Sequence, residues 1–473
     1  MTRKVKVAIV GAGTSGLNAM AQVHMLTDDF VLINGGELGT TCARVGCMPS
    51  KVAIQVADDF HRRSIFPREG IEGGDQLSVD MDEAFEHVRD IRDILVDRVL
   101  SHTTDEMGDE FIEGYARFVE PGVLEVDGLR IEAESIVLAA GSTPVVPEAW
   151  QAFGDKILTT DSLFELEEWP KTMAVVGLGV IGLELGQALA RMGVEVTGFD
   201  LQEHIAGIIE PDINKSVLDI IGKEFPIHLG QAVQLEEATN GILVTSGEIQ
   251  IEVEKVLLAM GRKSSLLNMH LEKANITLME NGLPQFHPNT MQCGKSRVFI
   301  AGDSNANRQV LHEASDEGRI AGYNAVRDLP KMFARKVPLM IAFTDPNVCR
   351  VGYTTNDLLE GEYVTGDMKM GPVGRALIMG KNKGMMRVFV RKIDGRMMGA
   401  VLAMHKGENV AQLIAWAIEQ NMTAMDMLTM PFYHPTMEEA LQGALRSAMA
   451  KLPELTEGQD YPLDLRPLQS LMP

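Results

Sequence analysis

Gly11-Ala12-Gly13-Thr14-Ser15-Gly16 follows an apolar, strand-like run at Val5–Val10 and leads into a helix-like run that continues through Leu26. A strand, a Gly-rich turn and a helix in this order are typical of a dinucleotide-binding unit. The glycines of such a unit permit a tight turn, close approach to a pyrophosphate and close helix packing, and the helix N-terminus holds the phosphates. The sequence therefore predicts a Rossmann-like unit at the start of the chain.

The same signal occurs again after a second strand-like run at Met173–Val176. Gly177-Leu178-Gly179-Val180-Ile181-Gly182 follows it and leads into a helix-like run to Met192. Two such units in one chain are much more specific than one. The next predicted strand, from Val194, ends at Asp200, whose carboxylate suits the ribose hydroxyls of NAD and repels the extra phosphate of NADP. The second unit is therefore predicted to bind NAD.

The first unit differs at the position equivalent to Asp200. Its second predicted strand, Phe30–Ile33, is followed by Asn34 instead of an acidic residue. An asparagine side chain can still hydrogen-bond a ribose hydroxyl, but without charge assistance. Asn34 is therefore the expected ribose partner of the first dinucleotide.

Composition excludes several classes of protein. The 473 residues include 43 Lys and Arg against 66 Asp and Glu, a net charge of −23 that argues against nucleic acid or an anionic membrane as a partner. No uncharged apolar run approaches the roughly 18 residues that a membrane span needs. Four cysteines are too few for a secreted disulfide scaffold. We expect a globular, cytoplasmic protein of about three domains.

Two of the cysteines lie in the stretch Thr41-Cys42-Ala43-Arg44-Val45-Gly46-Cys47-Met48-Pro49-Ser50-Lys51. A disulfide needs Cα atoms within about 7 Å, whereas residues five apart in a regular helix are separated by about 8–9 Å. A bridge would therefore need distorted backbone, which Gly46 can supply. Pro49 is tolerated only in the first turn of a helix, so we expect a helix to begin near Cys47 or Met48 and to favour a thiolate there. A strained disulfide at that place suits redox catalysis, and the alternative is two unrelated buried cysteines.

This stretch resembles the redox centre of the pyridine nucleotide–disulfide oxidoreductases, whose pattern is roughly Gly-Gly-Thr-Cys-x-Asn-x-Gly-Cys-x-Pro-Ser-Lys. Two positions depart from the pattern beside the cysteines: Thr40 replaces the second glycine and Arg44 replaces the asparagine. The resemblance spans nearly the whole chain. It implies a redox-active Cys42–Cys47 disulfide, with Cys42 as the interchange thiol and Cys47 against the flavin.

The fold that this resemblance implies is α/β, with two Rossmann-like dinucleotide-binding domains, for FAD and for NAD, and an α+β C-terminal dimerisation domain. Residues 1–150 and 271–336 would form the two parts of the FAD-binding domain. Residues 151–270 would form the NAD-binding domain, and residues 337–473 the dimerisation domain. The segment from Phe343 to Tyr353 resembles the start of this last domain.

The resemblance also implies the residues at both cofactor sites. The FAD site would use Gly11, Gly13, Gly16, Asn34, Thr41, Lys51, Gly114, Ala140, Gly141, Ser142, Asp303, Leu311 and His312. The NAD site would use Gly177, Gly179, Ile181, Gly182, Glu184, Asp200, Val233 and Gly261. Two of these residues have simpler explanations: the helix dipole alone favours Glu184 in an early turn, and His312 suits packing at a helix terminus better than catalysis.

The implied catalytic set contains no metal and consists of Cys42, Cys47, Lys51, Glu184, His434 and Glu439. Lys51 and Glu184 would form an ion pair near the flavin. His434 precedes Pro-Thr, and Glu439 five residues later can fix the tautomer of its ring and raise its basicity. Since His434 lies in the dimerisation domain, the resemblance implies a homodimer with an active site shared across the interface.

Within the family, we expect a dihydrolipoamide dehydrogenase, which oxidises dihydrolipoamide with NAD⁺, and the lipoyl domain of a 2-oxo acid dehydrogenase complex is a candidate partner. Asp200 opposes an NADPH-dependent glutathione reductase, and no cysteine follows Cys349 to form the C-terminal pair of a mercuric reductase. The redox cysteines argue against a soluble transhydrogenase, because those enzymes lack them. An NADH-dependent reductase of another disulfide stays open, because Thr40, Arg44 and Phe432 depart from the lipoamide pattern. A nucleotide-binding scaffold without catalysis is the alternative of a different class.

Overall fold

The structure is a computed structural model and describes residues 1–457 and 461–466, so residues 458–460 and 467–473 of the predicted C-terminal domain lie outside the described residues. The helices are α1 (Thr14–His24), α2 (Thr41–Arg44), α3 (Cys47–His61), α4 (Phe66–Glu69), α5 (Met81–Ser101), α6 (Thr160–Leu163), α7 (Val180–Met192), α8 (Pro211–Ile221), α9 (Leu311–Ala325), α10 (Gly374–Ile378), α11 (Gly407–Glu419), α12 (Ala424–Leu428) and α13 (Glu439–Met449). The strands are β1 (Thr2–Val10), β2 (Phe30–Asn34), β3 (Phe111–Glu113), β4 (Arg117–Glu120), β5 (Val123–Val126), β6 (Leu129–Leu138), β7 (Ser142–Pro144), β8 (Ile157–Leu158), β9 (Thr172–Val176), β10 (Glu195–Asp200), β11 (Ile227–Leu229), β12 (Val233–Ala238), β13 (Gly241–Ser246), β14 (Ile249–Val253), β15 (Lys255–Leu258), β16 (Arg262–Ser264), β17 (Val298–Ile300), β18 (Leu339–Ala342), β19 (Asn347–Gly352), β20 (Tyr363–Lys369), β21 (Met385–Arg391) and β22 (Met397–Met404).

The first sheet has a parallel centre, with the strand order β3-β2-β1-β6-β5-β4 and with β17 also paired to β6. β1 runs parallel to both β2 and β6, and β17 runs parallel to β6. A central parallel strand is covered on both faces, which explains why the predicted strand at Val5–Val10 is almost continuously apolar. Because β17 follows the second unit in sequence, two separate segments of the chain build this one sheet.

The second unit repeats this arrangement on a five-stranded parallel sheet, ordered β11-β10-β9-β15-β8. A three-stranded antiparallel sheet, β12-β13-β14, accompanies it. β7 and β16 pair as an antiparallel ribbon, with Ser142 opposite Ser264. The ribbon therefore joins the segments by which the chain enters and leaves this unit.

The C-terminal unit is a five-stranded antiparallel sheet, ordered β18-β19-β22-β21-β20. Helices α11 and α13 cover it through buried apolar residues such as Val410, Ile414, Leu441 and Leu445. The predicted fold class, with two Rossmann-like units and an α+β unit, is confirmed.

Within residues 1–457 and 461–466, none of the helices combines the length and the apolar character needed to span a bilayer. The same residues contain no group of three or more His, Cys, Asp or Glu side chains arranged to hold a metal ion.

Candidate active site

The two cysteines lie on either side of a break between two helices. Cys42 is in α2, and α3 begins at Cys47, as predicted. A side chain on Gly46 would place its Cβ 2.9 Å from the carbonyl oxygen of Thr41 and 3.3 Å from the Cα of Cys42. Glycine is therefore required at the break, because the α2 backbone passes this close to it.

The two cysteines are adjacent and unbridged in this structure, and the Cys42–Cys47 disulfide stays a prediction. In the thiol form, Cys42 donates a hydrogen bond to Cys47. This hydrogen bond lowers the pKa of Cys47 to about 7, helped by the charge of Lys51 and opposed by burial. The same bond, together with burial, raises the pKa of Cys42. Of the two sulfurs, Cys47 is therefore the one that ionises more readily.

Lys51 lies one turn after Cys47 on α3, and its Nζ is 2.7 Å from Oε2 of Glu184. Glu184 is only 3% exposed, and its Oε1 accepts the backbone N–H of Phe343 at 2.7 Å. The helix dipole alone would explain a glutamate at this position, but not a buried carboxylate with a specific partner on each oxygen. One side chain thus joins α3, α7 and the start of the C-terminal unit.

The first glycine of each Gly-rich loop occupies a conformation that glycine alone adopts readily. Gly11 has φ +107° and Gly177 has φ +95°. An added Cβ would lie 2.2 Å from the carbonyl oxygen of Ala139 at Gly11, and 2.5 Å from that of Ala259 at Gly177. Both loops therefore cross the end of the neighbouring parallel strand in the same way.

The second glycine of each loop, Gly13 or Gly179, faces open space, since an added Cβ would meet no described atom within 4 Å. The third glycine, Gly16 or Gly182, packs closely: its Cβ would lie 1.8 or 1.9 Å from a loop carbonyl oxygen. α1 and α7 begin here without a hydrogen bond from any described capping side chain. Uncapped N–H groups above an open cradle fit a pyrophosphate, so both loops fit the predicted dinucleotides.

Asn34 and Asp200 occupy equivalent places at the ends of β2 and β10. Asn34 Oδ1 accepts the N–H of Ala12 at 3.0 Å, and its Nδ2 donates to the Gly36 carbonyl at 2.6 Å. Asp200 accepts the N–H of Leu178 at 2.6 Å and that of Gln202 at 2.8 Å. Asn34 therefore keeps the bond to the Gly-rich loop that an aspartate would make, without the charge.

Three of the predicted flavin-site segments meet beside the ribbon formed by β7 and β16. Ser142 Oγ donates to Asp303 at 2.7 Å, and the N–H of Gly141 donates to Ser304 Oγ at 2.8 Å. Arg262 Nε donates to Ser142 Oγ at 2.8 Å. Arg262 and Ser304 are not among the predicted site residues, although each directly follows one of them, Gly261 or Asp303.

Other predicted cofactor residues lie nearer the surface or on neighbouring elements. Their places are Thr41 exposed at the start of α2, Gly114 just after β3, Ala140 half-buried after β6, Ile181 exposed in the first turn of α7, Val233 at the start of β12, and Leu311 and His312 exposed in the first turn of α9. His312 is exposed in the single chain, and its expected packing role stays a prediction.

His434 and Glu439 form a hydrogen-bonded pair at the start of α13, with 2.8 Å between Nδ1 and Oε1. The other carboxylate oxygen accepts the N–H of Thr436 at 2.9 Å. The hydrogen bond from His434 lowers the pKa of Glu439. Because the His434 side chain is 78% exposed, its Nε2 is free to meet a group outside its own unit.

Two residues that depart from the family's sequence pattern, Thr40 and Arg44, make specific contacts in the structure. Thr40 has φ +66°, an unfavourable angle for a β-branched residue, and its Oγ1 caps α2 by accepting the N–H of Ala43 at 3.2 Å. Arg44 forms an ion pair with Glu37. The surface beside Cys42 thus carries a capping hydroxyl and an ion pair where the family pattern has a glycine and an asparagine.

Comparison with known proteins identifies the family. The model of the pyridine nucleotide-disulphide oxidoreductases matches residues 5–318, and that of their dimerisation domain matches residues 339–445. A dihydrolipoyl dehydrogenase of Halobacterium salinarum is 28% identical over 465 residues, which cover 94% of this chain and 96% of the relative. A mercuric reductase of Bacillus cereus is 26% identical over 445 residues, which cover 92% and 70%. The fold is similar to that of the HOCl-induced flavoprotein disulfide reductase RclA of Escherichia coli in its Cu(II) complex, with TM-score 0.81 and 22% identity over 94% of this chain and 99% of that one. The chain belongs to the pyridine nucleotide–disulfide oxidoreductases, which use FAD and NAD(P).

Proposed function

We propose that the protein is a dihydrolipoyl dehydrogenase-type enzyme that exchanges electrons between a small dithiol and NAD through its cysteine pair. The observation that carries this proposal is the place of Cys47 at the start of α3, one turn from Lys51, whose Nζ lies 2.7 Å from Glu184. This environment favours ionisation of Cys47 over Cys42. A pair with one protonated and one ionised sulfur is what a completed thiol–disulfide exchange leaves behind. FAD, which the loop at Gly13 and Asp303 would hold, would supply the capacity to accept two electrons from the cysteine pair and to deliver them to NAD as a hydride.

The protein's own residues move the protons of the exchange. His434 of a partner subunit removes the proton of a substrate thiol at Nε2, while Glu439 stabilises the cationic ring. The substrate thiolate attacks Cys42 of the oxidised pair, the Cys42–Cys47 bond breaks, and Cys47 leaves as a thiolate. The second substrate thiol then displaces Cys42, which receives the first proton from His434, and the proton of the second thiol passes to the vacated Nε2 of His434. The substrate leaves as a disulfide, and both electrons remain on the cysteine pair.

We assign the remaining contacts to cofactor binding. The loops at Gly13 and Gly179 would hold the pyrophosphates of FAD and NAD. Asn34 and Asp200 would face the two riboses, and Asp303 would lie along the flavin side chain. Lys51 would lie between the Cys47 thiolate and the flavin.

We also propose a homodimer with a shared site, which is supported by the match to the dimerisation domain and by the exposure of His434. A lipoyl domain is the partner that this substrate class implies. We also propose a cytoplasmic location, because reduced compartments keep a cysteine pair of this kind available for exchange.

The substrate is tested by steady-state rates with NADH and a panel of disulfides. Lipoamide should exceed glutathione disulfide by at least about a hundredfold in kcat/KM, the scale of discrimination by a site with matched contacts. A disulfide that outperforms lipoamide would replace it in the proposal.

A reductase of another disulfide is the second candidate. It is favoured by the surroundings of Cys42, where Thr40 and the Arg44–Glu37 ion pair depart from the lipoamide pattern. Phe432, which replaces a histidine, packs against the core of the C-terminal unit. The same panel of disulfides distinguishes the two candidates.

Replacing Asp200 with alanine should narrow the preference for NADH over NADPH, because the carboxylate repels the 2′-phosphate. The measurement is the ratio of kcat/KM for the two nucleotides, which should fall by at least about tenfold, the effect of roughly 1.4 kcal/mol. Glu203→Ala, an exposed carboxylate on the same loop, is the control. Wild-type protein that uses NADPH better than NADH would show that Asp200 has been assigned wrongly.

A further inference from the structure

One face of α7 carries a row of three buried polar side chains. Glu184, Gln187 and Arg191 are three and four residues apart, and their exposed fractions are 3%, 3% and 8%. Buried polar groups destabilise a fold unless they are paired. The partners of this row lie on α3, at Glu224 after α8, and on the segment Phe343–Asp345, and we call the whole set the α7 seam.

Gln187 holds the backbone of the C-terminal segment at two points. Its Oε1 accepts the N–H of Asp345 at 2.9 Å, and its Nε2 donates to the Asp345 carbonyl at 3.0 Å. Two residues earlier, the N–H of Phe343 is bonded to Glu184, which holds Lys51. The segment therefore lies along α7 in a fixed register.

Arg191 closes the far end of the seam. Its Nε is 2.6 Å from Glu224, its Nη1 pairs with Asp58 of α3, and its Nη2 is 3.7 Å from the Asp345 carboxylate. Asp58 lies seven residues after Lys51 on α3, which is two turns along the same face. Both ends of the seam are thus tied to α3.

The Asp345 carboxylate anchors the segment from its other side. It pairs with Lys381 and lies 2.9 Å from Nδ1 of His405. Burial opposes its ionisation, but the hydrogen bond from His405 and the charge of Lys381 outweigh burial and lower the pKa of Asp345. His61 also faces this cluster, and burial and the charge of Arg191 lower its pKa. Asp345 is therefore a fixed anion at the junction of three units.

We propose that Gln187 and Asp345 are positioning residues for Lys51. They hold the segment Phe343–Asp345 on α7, so that the Phe343 N–H fixes Glu184, and Glu184 fixes Lys51 beside Cys47. The Phe343 ring supports the same arrangement, because Lys51 Nζ lies 4.9 Å from its centroid.

The position of Lys51 affects the stability of the Cys47 thiolate. Within the described residues, the charged or titratable groups with the largest effect on it are Cys42, Lys51 and Glu184, of which Lys51 is the cation. If the segment detaches, Glu184 loses a hydrogen bond and Lys51 loses its fixed place. The thiolate is then stabilised less, and a higher pH is needed to form it.

The test uses the Cys42→Ser holoenzyme as the parent, in which Cys47 is a free thiol. It rests on the proposed place of Cys47 against the flavin, where a thiolate gives a long-wavelength absorbance band. The pH midpoint of this band reports the pKa of Cys47. Adding Gln187→Leu or Asp345→Asn should raise the midpoint by about half a unit to one unit, part of the shift that a nearby opposite charge produces. Lys51→Met should give the largest rise.

The direction in which the pH midpoint shifts distinguishes the loss of Lys51 positioning from a direct electrostatic effect on Cys47. Removing the Asp345 anion would by itself favour the thiolate and lower the midpoint, whereas a displaced Lys51 raises it. Gln187→Leu changes no charge. Asp212→Asn is the matched control: Arg387 pairs with Asp212 at 2.7 Å and joins α8 to β21, another contact between the second and C-terminal units. The control should leave the midpoint within about 0.2 units, well inside the scatter of ordinary pKa values.

The inference fails if Lys51→Met raises the midpoint while the seam variants leave it unchanged or lower it. It fails equally if Asp212→Asn raises the midpoint as much as they do. If Gln187→Leu does not fold, Asp345→Asn, which preserves shape, decides alone. A parent without a band at any pH would instead contradict the proposed place of Cys47, and the seam inference with it.

Discussion

Cys42→Ser and Cys47→Ser should each reduce the rate of NADH-driven disulfide reduction by about 10⁴-fold or more, the size of effect that follows loss of a catalytic nucleophile. A serine hydroxyl can neither form the disulfide nor ionise near neutral pH, so neither half of the exchange survives. The measurement is the initial rate with lipoamide, after flavin content has been matched to wild type. Cys293→Ala, which changes a buried cysteine outside the site, is the control and should keep its activity.

The two serine variants should differ in absorbance, because the two sulfurs are not equivalent. Cys42→Ser should display the thiolate band without any reductant, and the band should disappear as the pH falls through the pKa of Cys47, which is about 7 in the thiol pair. Cys47→Ser should show no such band. A band in Cys47→Ser but not in Cys42→Ser would reverse the roles of the two cysteines.

His434→Ala should lower disulfide turnover by at least about a hundredfold, the contribution typical of a general base. Reduction of FAD by NADH should survive in stopped flow, because His434 acts on the substrate thiol and not on the nucleotide. Glu439→Gln should give a smaller loss, since the amide oxygen can still accept the hydrogen bond from Nδ1 but does not stabilise the cationic ring.

A second histidine–glutamate pair supplies the control for this experiment. His270 Nδ1 lies 3.2 Å from Glu272 on the surface of the protein, outside the site. His270→Ala should leave turnover unchanged. Equal losses in His270→Ala and His434→Ala would point to a general effect of removing a surface histidine.

The parts of the molecule that the sequence predicts well are local ones. Gly11 and Gly177 are constrained by their own φ angles and by the strand beside them. The spacing of the glycines within each loop is therefore enough to predict the loop geometry. The start of α3 follows from Pro49, which requires a first-turn position. The resemblance supplied the roles of Lys51 and Glu184, and the structure places these two side chains in contact.

Long-range partners are the part that no local pattern predicts. Gln187 and Asp345 are 158 residues apart, and Arg262 and Ser142 are 120 apart, so neither pair leaves a periodicity in the sequence. The thiol state of Cys42 and Cys47 depends on oxidation and is not a property of the sequence at all. The domain boundaries near residues 150, 270 and 336 stay predictions.

Subunit complementation tests most directly the central claim, that one subunit's cysteine pair works with its partner's His434. Inactive Cys42→Ser and His434→Ala subunits are mixed, dissociated and reassembled, and heterodimers are counted by mass. Each heterodimer then contains one intact site, so random reassembly should recover about a quarter of wild-type activity in a twofold-symmetric dimer. No recovery, although heterodimers form, would show that His434 acts within its own subunit and would contradict this account.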